Sequence, residues 1–301
     1  MNHPRLVVSI DPAAGFCTGV RRAIRAAETL LANRGQAFSV GEIVHNEAET
    51  GRLRALGLTT LKTGELQQLP QDAHVLFRAH GEPPSTYNTL ETSNLSLTDA
   101  TCPVVLRLQH KVGLASAETA EKSGTVVIFG KPGHPEVVGL QGHARGKVLV
   151  LSHADQIEEA DLTLPLHVFA QTTSHAGSFK QFCEAINARF PDATSRGEVS
   201  IHQTICAQVS KREPTLEKFA REHDVVIFVT GSRSSNGKYL SERCTAFNPR
   251  THVVSGPGEL DPRWFAGAAS AGVSGATSTP VWLMEEVASA IEKMTSEASC
   301  T

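Results

Sequence analysis

Short apolar runs rich in β-branched residues recur along the chain, at Leu6–Ile10, Phe38–Val44, His74–Arg78, Leu95–Asp99, Thr125–Phe129, Val148–Leu151, His167–Ala170, Val199–Ile201, Val225–Val229 and His252–Ser255. Between them, Val20–Ala32, Pro103–Ala120, Ser178–Phe190, Val209–Arg221 and Val281–Met294 carry apolar residues at three-to-four spacing with charges on the other face. The first pattern predicts strands and the second amphipathic helices. Their alternation from end to end predicts an α/β fold with largely parallel sheets.

Length and composition narrow the picture. A chain of 301 residues is more than one core usually organises, which favours two or three lobes of roughly 100–150 residues each. Hydrophobic residues at 40% and charged residues at 20% exclude a disordered chain. A net charge of −3 with aromatics at only 5% offers neither a basic footprint nor stacking platforms, so no nucleic-acid partner is expected. Apolar runs such as Val225–Val229 fall far short of the ~20 residues that cross a bilayer, so no membrane partner is expected either. The opening Met1-Asn2-His3-Pro4-Arg5 lacks the features of a secretory signal, and the expected location is the cytoplasm. In that reducing setting the six cysteines read as ligands, nucleophiles or small core residues rather than disulfide partners.

Three of them sit where a helix is predicted to begin. Cys17 opens the helix starting near Val20, Cys102 follows a strand ending at Thr101 and precedes Pro103, and Cys206 follows a strand ending near Ile205. They are separated by about one α/β lobe of chain each, which suggests one cysteine per lobe around a shared centre. A helix N-terminus favours the thiolate that metals require. Without a Cys-x-x-Cys pair a structural zinc site matches poorly, and three distant thiolates suit an iron–sulfur cluster with one iron open to substrate. The competing reading is that these are small buried residues at strand ends. Cys183, Cys244 and Cys300 read as packing or tail residues.

Other strand ends carry polar groups: His45-Asn46, Arg78-Ala79-His80, Lys131 to Glu136 with His134, Gln171-Thr172-Thr173, Ser234-Ser235-Asn236 and Thr277-Ser278-Thr279. In α/β folds ligands bind at the carboxyl ends of strands. Imidazoles, hydroxyls, amides and helix-start N–H groups together suit an anion, and a phosphate is expected. No phosphate-binding loop or dinucleotide fingerprint is present, and Gly256-Pro257-Gly258-Glu259 is only a turn. Taken singly, each histidine is also readable as a hydrogen-bonded loop residue, and Glu136 as a solvated loop carboxylate.

The strings Gly15–Ala23, Val44-His45-Asn46, Arg78–Gly81, Asp99–Pro103, Gly133–Val137, Gln171–Thr173, Thr204–Cys206, Ser234–Asn236 and Gly275–Pro280 occur in one order over nearly the whole chain. In this the chain closely resembles the LytB/IspH family of 4-hydroxy-3-methylbut-2-enyl diphosphate reductases. The resemblance implies a three-lobed trefoil of pseudo-threefold related α/β domains around a central [4Fe-4S] cluster held by Cys17, Cys102 and Cys206. The lobes are expected at residues 1–101, 102–197 and 198–280, followed by a C-terminal helix and tail over 281–301. It further implies reduction of the allylic diphosphate to isopentenyl and dimethylallyl diphosphates, the last step of the non-mevalonate pathway, with a donor such as ferredoxin or flavodoxin. By motif match His45, His80, His134, Ser234, Ser235, Asn236 and Ser278 would hold the diphosphate. Glu136 would donate protons, with Thr172 at the substrate and in the relay. Two departures stand out. Ala207–Arg212 replaces the common Tyr-Ala-Thr-Thr-Asn-Arg, leaving Val209 where a hydroxyl is usual, and the loop Gly231–Asn236 is one residue shorter than the common form. A cluster acting only as a Lewis acid in a dehydratase, or a metal scaffold without turnover, are the rival readings.

Overall fold

The structure, a computed structural model, describes residues 6–298. The N-terminal pentapeptide and Cys300, on which two expectations rest, lie outside the described residues. The strands are β1 (Val7–Ile10), β2 (Ala37–Val40), β3 (Leu58–Leu61), β4 (His74–Phe77), β5 (Ser96–Asp99), β6 (Thr125–Phe129), β7 (Lys147–Leu151), β8 (Leu166–Ala170), β9 (Val199–Ile201), β10 (Val225–Val229), β11 (Thr251–Val254) and β12 (Ser270–Gly275). The helices are α1 (Thr18–Arg34), α2 (Glu47–Ala55), α3 (Pro84–Ser93), α4 (Pro103–Glu121), α5 (Pro135–His143), α6 (Ala176–Arg189), α7 (Pro191–Ser195), α8 (Ala207–Ser210), α9 (Arg212–Arg221), α10 (Ser235–Phe247) and α11 (Val281–Ala298). The strands form three four-stranded parallel sheets, ordered β1-β12-β10-β11, β3-β2-β4-β5 and β7-β6-β8-β9. The α/β class with parallel sheets is therefore the observed one. Among the described residues no helix is long and apolar enough to cross a membrane.

The chain divides into two compact units. One holds the segments up to Gln36, Glu42–Thr59 and from Lys211 on; the other holds Ala37–Gly41 and Thr60–Ser210. In each, a fully buried central strand feeds two apolar layers, because side chains alternate across a parallel sheet covered on both faces. In the first unit Val225, Ile227 and Val229 of β10 pack with Leu283, Met284, Val287 and Ile291 of α11. Val226 and Phe228 pack with Leu216, Ala220, Leu240 and Cys244 of α9 and α10. In the second unit Val127 and Phe129 of β6 meet Phe179, Phe182 and Ile186 of α6, while Val126 and Ile128 meet Leu108, Val112, Val137 and Leu140 of α4 and α5.

Three local features depart from the sequence expectation. Strand β3 was not among the predicted strands, since Leu-Thr-Thr-Leu is short and exposes both threonines, and neither was β12, whose Ser-Ala-Gly-Val-Ser-Gly carries little apolar bulk. The small residues of β12 are what the packing needs, because a Cβ on Gly272 would lie 2.7 Å from the Phe219 ring. The single helix predicted over Val209–Arg221 is two, α8 and α9. Pro214 has no N–H to donate to Ser210, and is tolerated only in the first turn of a new helix. Sheet membership also departs from a linear division into lobes. β1 pairs with β12, Val7 beside Ser270, and β9 pairs with β8, Leu166 beside Val199. The first of these pairings is pinned by Arg212 at the start of α9. Its guanidinium donates to Asp11 Oδ2 and Ser274 Oγ, both at 2.7 Å, and to Gly275 O at 3.2 Å, and removing either partner of such a buried pair would leave an uncompensated charge.

Candidate functional site

In the second unit the site begins where β6 ends. Gly130-Lys131-Pro132-Gly133 turns the chain, with Gly133 at φ 74°, and His134 caps α5: its Nδ1 accepts from Glu136 N–H at 3.2 Å. Pro135 takes the first helical position, where a missing N–H costs nothing. Glu136, in the first turn, is only 1% exposed. Its Oε1 accepts from the Thr172 backbone N–H at 2.6 Å, and its Oε2 lies 2.7 Å from Thr172 Oγ1. Among the described residues no cation pairs with it. Burial pushes its pKa up from 4.5 to about 7, and the two Thr172 hydrogen bonds pull it only partly back.

Thr172 in turn holds Cys206. The Cys206 N–H donates to Thr172 O at 2.8 Å. Sequence reasoning placed Cys206 directly at a strand end, but β9 stops at Ile201. The intervening loop is held by Thr204, whose hydroxyl accepts from Ala170 N–H at 2.8 Å and donates to Ala170 O at 2.6 Å, replacing a strand partner. Cys206 then precedes the single turn of α8, in which Val209 is half-buried and donates its N–H to Cys206 O.

Cys102 is set by the end of β5. Asp99 Oδ1 accepts from Thr101 N–H at 2.8 Å and from Thr101 Oγ1 at 2.5 Å, and Tyr87 OH donates to its Oδ2 at 2.7 Å. This turns the chain so that Cys102 is the N-cap of α4, with its N–H on Ala79 O at 3.0 Å. The next residue, His80, stands edge-to-face with His134, ring centroids 5.3 Å apart. Gly81 after it is at φ 72°, and a Cβ there would lie 2.4 Å from Gln109 Nε2. Only glycine fits that position. Contacts thus run from Cys102 through His80, His134, Glu136 and Thr172 to Cys206 within one unit.

The first unit holds the rest of the predicted residues. Cys17 is the N-cap of α1, its Sγ accepting from Val20 N–H at 3.5 Å and its N–H donating to Thr277 O at 3.2 Å. Thr277 Oγ1 accepts from Asn236 Nδ2 at 2.9 Å, and Ser278 Oγ lies 2.9 Å from Ser234 Oγ. In the shortened loop Ser234 is the N-cap of α10, and Ser235 opens the helix on its exposed side. His45 Nδ1 lies 3.6 Å from Glu42 Oε2. Sequence reasoning missed the brace behind it: Glu42 Oε1 pairs with Arg233 at 2.6 Å, and Glu47 accepts from Ser232 Oγ at 2.7 Å. The only local signal was the three-residue spacing of Glu42 and His45.

None of the described cysteines forms a disulfide. Cys17, Cys102 and Cys206 are half-buried, whereas Cys183 and Cys244 lie in the apolar cores. Burial pushes the Cys183 thiol up to about 11 and raises that of Cys244.

Residues 8–292 match the family described as LytB protein. A 4-hydroxy-3-methylbut-2-enyl diphosphate reductase of Bacteroides thetaiotaomicron is 43% identical over 281 residues, 93% of this chain and 96% of the relative. The enzyme of that name from Chlorobium phaeovibrioides is 38% identical, with 93% and 96% covered. Among solved structures, the Plasmodium falciparum E-1-hydroxy-2-methyl-but-2-enyl-4-diphosphate reductase superposes with a TM-score of 0.80 at 22% identity, covering 94% of this chain and 86% of that one. A second, an (E)-4-hydroxy-3-methyl-but-2-enyl diphosphate reductase described as the terminal enzyme of the non-mevalonate pathway, gives 0.71 at 33% identity, covering 96% and 99%.

Proposed function

Because this chain belongs to the LytB family, we propose that it reduces 4-hydroxy-3-methylbut-2-enyl diphosphate to isopentenyl and dimethylallyl diphosphates, the closing step of non-mevalonate isoprenoid synthesis. The reaction breaks the allylic C–O bond, takes up two electrons and two protons, and releases water. One proton leaves with the hydroxyl and the other ends on carbon. The observation that carries the reading is Glu136, a fully buried carboxyl poised near 7 and, among the described residues, without a cation. A general acid works best when its pKa lies near the working pH.

The hydrogen bonds dictate where that proton sits. Thr172 N–H can only donate, so Oε1 accepts in either protonation state, and the acid proton belongs on Oε2 beside Thr172 Oγ1. When Glu136 is neutral, Oε2–H donates to the threonine hydroxyl, which is then able to donate onward. When Glu136 is ionised, the hydroxyl donates back. With the carboxyl shut away from solvent, the threonine hydroxyl is its proton path. His134 caps the same helix turn, so an anion held there orients the substrate against the acid. In this reading His45, His80, His134, Ser234, Ser235, Asn236 and Ser278 hold the diphosphate, and Thr172 also touches the substrate.

The donor set fits a [4Fe-4S] cluster: Cys17, Cys102 and Cys206 are half-buried soft ligands outside any disulfide, two of them helix N-caps. The raised thiols of Cys183 and Cys244 do not suit ligation. When bound, the cluster supplies single-electron transfer and an iron without a protein thiolate, open to the substrate's oxygen. A ferredoxin or flavodoxin as donor and a cytoplasmic setting, where thiols stay reduced, belong to the same proposal. Anaerobic turnover with a chemical reductant, followed by product identification, tests it. The native protein yields both diphosphates, and Glu136→Gln retains cluster and substrate binding without turnover. Equal turnover by the two proteins would remove Glu136 from the reaction.

A further inference from the structure

Helix α1 carries charges that its own stability does not want. Its first turn holds no acidic residue, and Arg21, Arg22 and Arg25 are exposed within its first two turns. Cations near a helix N-terminus oppose the macrodipole. Arg21 and Arg25 are four apart and Arg22 and Arg25 three apart, spacings at which like charges repel. Among the described residues none of the three pairs with a carboxylate; Arg21 donates only to Phe16 O, at 3.2 Å. This concentration of positive charge stands on a chain whose net charge is −3.

Beside the arginines lies an open cavity of about 440 Å³ whose walls include Phe16, Arg21, Val281 and Trp282. Val281 is 47% exposed, although large and apolar. The acidic groups of this cavity are already engaged. Glu49 accepts from Trp282 Nε1 at 2.8 Å and pairs with Arg52, which also holds Glu28. What remains outward is an apolar mouth with Arg21 in its wall and Arg22 and Arg25 exposed on the same helix, the anatomy of a protein-binding surface. Phe16, in its wall, is bonded directly to Cys17.

We propose that this face docks an acidic electron-transfer protein. The assignment rests on the reductase reading, which requires an external donor to lose one electron at a time, and it places that donor at the peptide next to Cys17. The charge on α1 steers the encounter, and the apolar mouth excludes water once the partner is seated.

The test uses anaerobically purified holoenzyme and an acidic flavodoxin. Arg22 and Arg25 are reversed together, Arg22→Glu with Arg25→Glu, leaving Arg21 and the cavity wall intact; glutamates suit a helix N-terminus, so folding and cluster content are expected to hold. By calorimetric titration at low salt the flavodoxin binds the native enzyme, more weakly as salt rises. In the reversed variant the association constant falls about tenfold or more and loses most of its salt dependence, while turnover driven by a small viologen dye is unchanged. Arg22→Lys with Arg25→Lys keeps the binding. Flavodoxin binding that is absent in the native enzyme or unaltered in the reversed variant overturns the proposal. So does a native dimer that the reversal dissociates, which would assign the face to a second copy of this chain. Absence of dye-driven turnover in the native enzyme would count against the reductase reading alone, since the binding measurement stands apart from it.

Discussion

Replacing Glu136 by glutamine should make the protein more stable at alkaline pH, by an amount the site itself supplies. Burial raises the carboxyl from 4.5 to about 7 in the folded protein. The folded state therefore holds this proton more tightly than the unfolded chain does. Below about pH 4.5 the carboxyl is neutral in both states and carries no penalty. The penalty grows as pH rises from there to about 7 and is constant above, reaching about 3 kcal/mol at 1.36 kcal/mol per pH unit. Glutamine keeps both hydrogen bonds, its Oε1 accepting from Thr172 N–H and its amide donating to Thr172 Oγ1, but has nothing to ionise. Anaerobic urea unfolding of both proteins at pH 5 and pH 8, with cluster content matched, measures the difference. The glutamine variant gains about 2–3 kcal/mol over the native protein at pH 8 and much less at pH 5. Equal stabilities at both values, or a variant weaker at pH 8, would mean that Glu136 is not a buried neutral-poised acid. The same substitution lowers turnover by about 10²–10⁴-fold.

Other consequences follow from neighbouring residues. Thr172→Val keeps the backbone N–H on Glu136 but removes the hydroxyl. Turnover falls, and the alkaline limb of its pH profile moves to higher pH because one interaction favouring the carboxylate is gone; an unchanged profile would exclude the hydroxyl from the relay. Serine in place of Cys17, Cys102 or Cys206 abolishes iron and sulfide binding, whereas Cys183→Ser retains it, as visible absorbance and iron analysis report. Gly81→Ala costs about 1–3 kcal/mol in unfolding measurements, from its positive φ and the collision with Gln109, and weakens pyrophosphate inhibition by displacing His80.

What sequence reasoning reached, and what it missed, follows from the range of the interactions. β6 and β10 were visible because a strand covered on both faces is apolar throughout. β12 was not, because Gly272 exists for the Phe219 ring that packs against it. Cys17 was placed at a helix start from the pattern beginning near Val20, and Cys102 from Pro103 and the strand before it, and the structure makes both of them N-caps. The membership of β1 was hidden, since nothing in Val7–Ile10 announces a partner at Ser270–Val273. Glu136 showed the same limit. Its place after the strand Thr125–Phe129 was readable, but sequence reasoning left it in a loop where α5 begins, and its burial depends on Thr172, 36 residues away. Local pattern alone favoured a solvated carboxylate, and only the order of motifs along the whole chain pointed to an acid. The brace from Arg233 to Glu42 spans still more sequence, and only the three-residue spacing of Glu42 and His45 hinted at it.

The central claim, a reduction rather than a rearrangement or dehydration, is tested most directly by counting electrons. Holoenzyme is mixed anaerobically with a limiting amount of 4-hydroxy-3-methylbut-2-enyl diphosphate and excess reduced viologen, and dye oxidation is followed to completion beside product analysis. Two dye molecules oxidised for each substrate consumed, with the sum of isopentenyl and dimethylallyl diphosphates equal to the substrate lost, is the predicted result. Substrate consumed without dye oxidation, or a product that retains the hydroxyl oxygen, would contradict it.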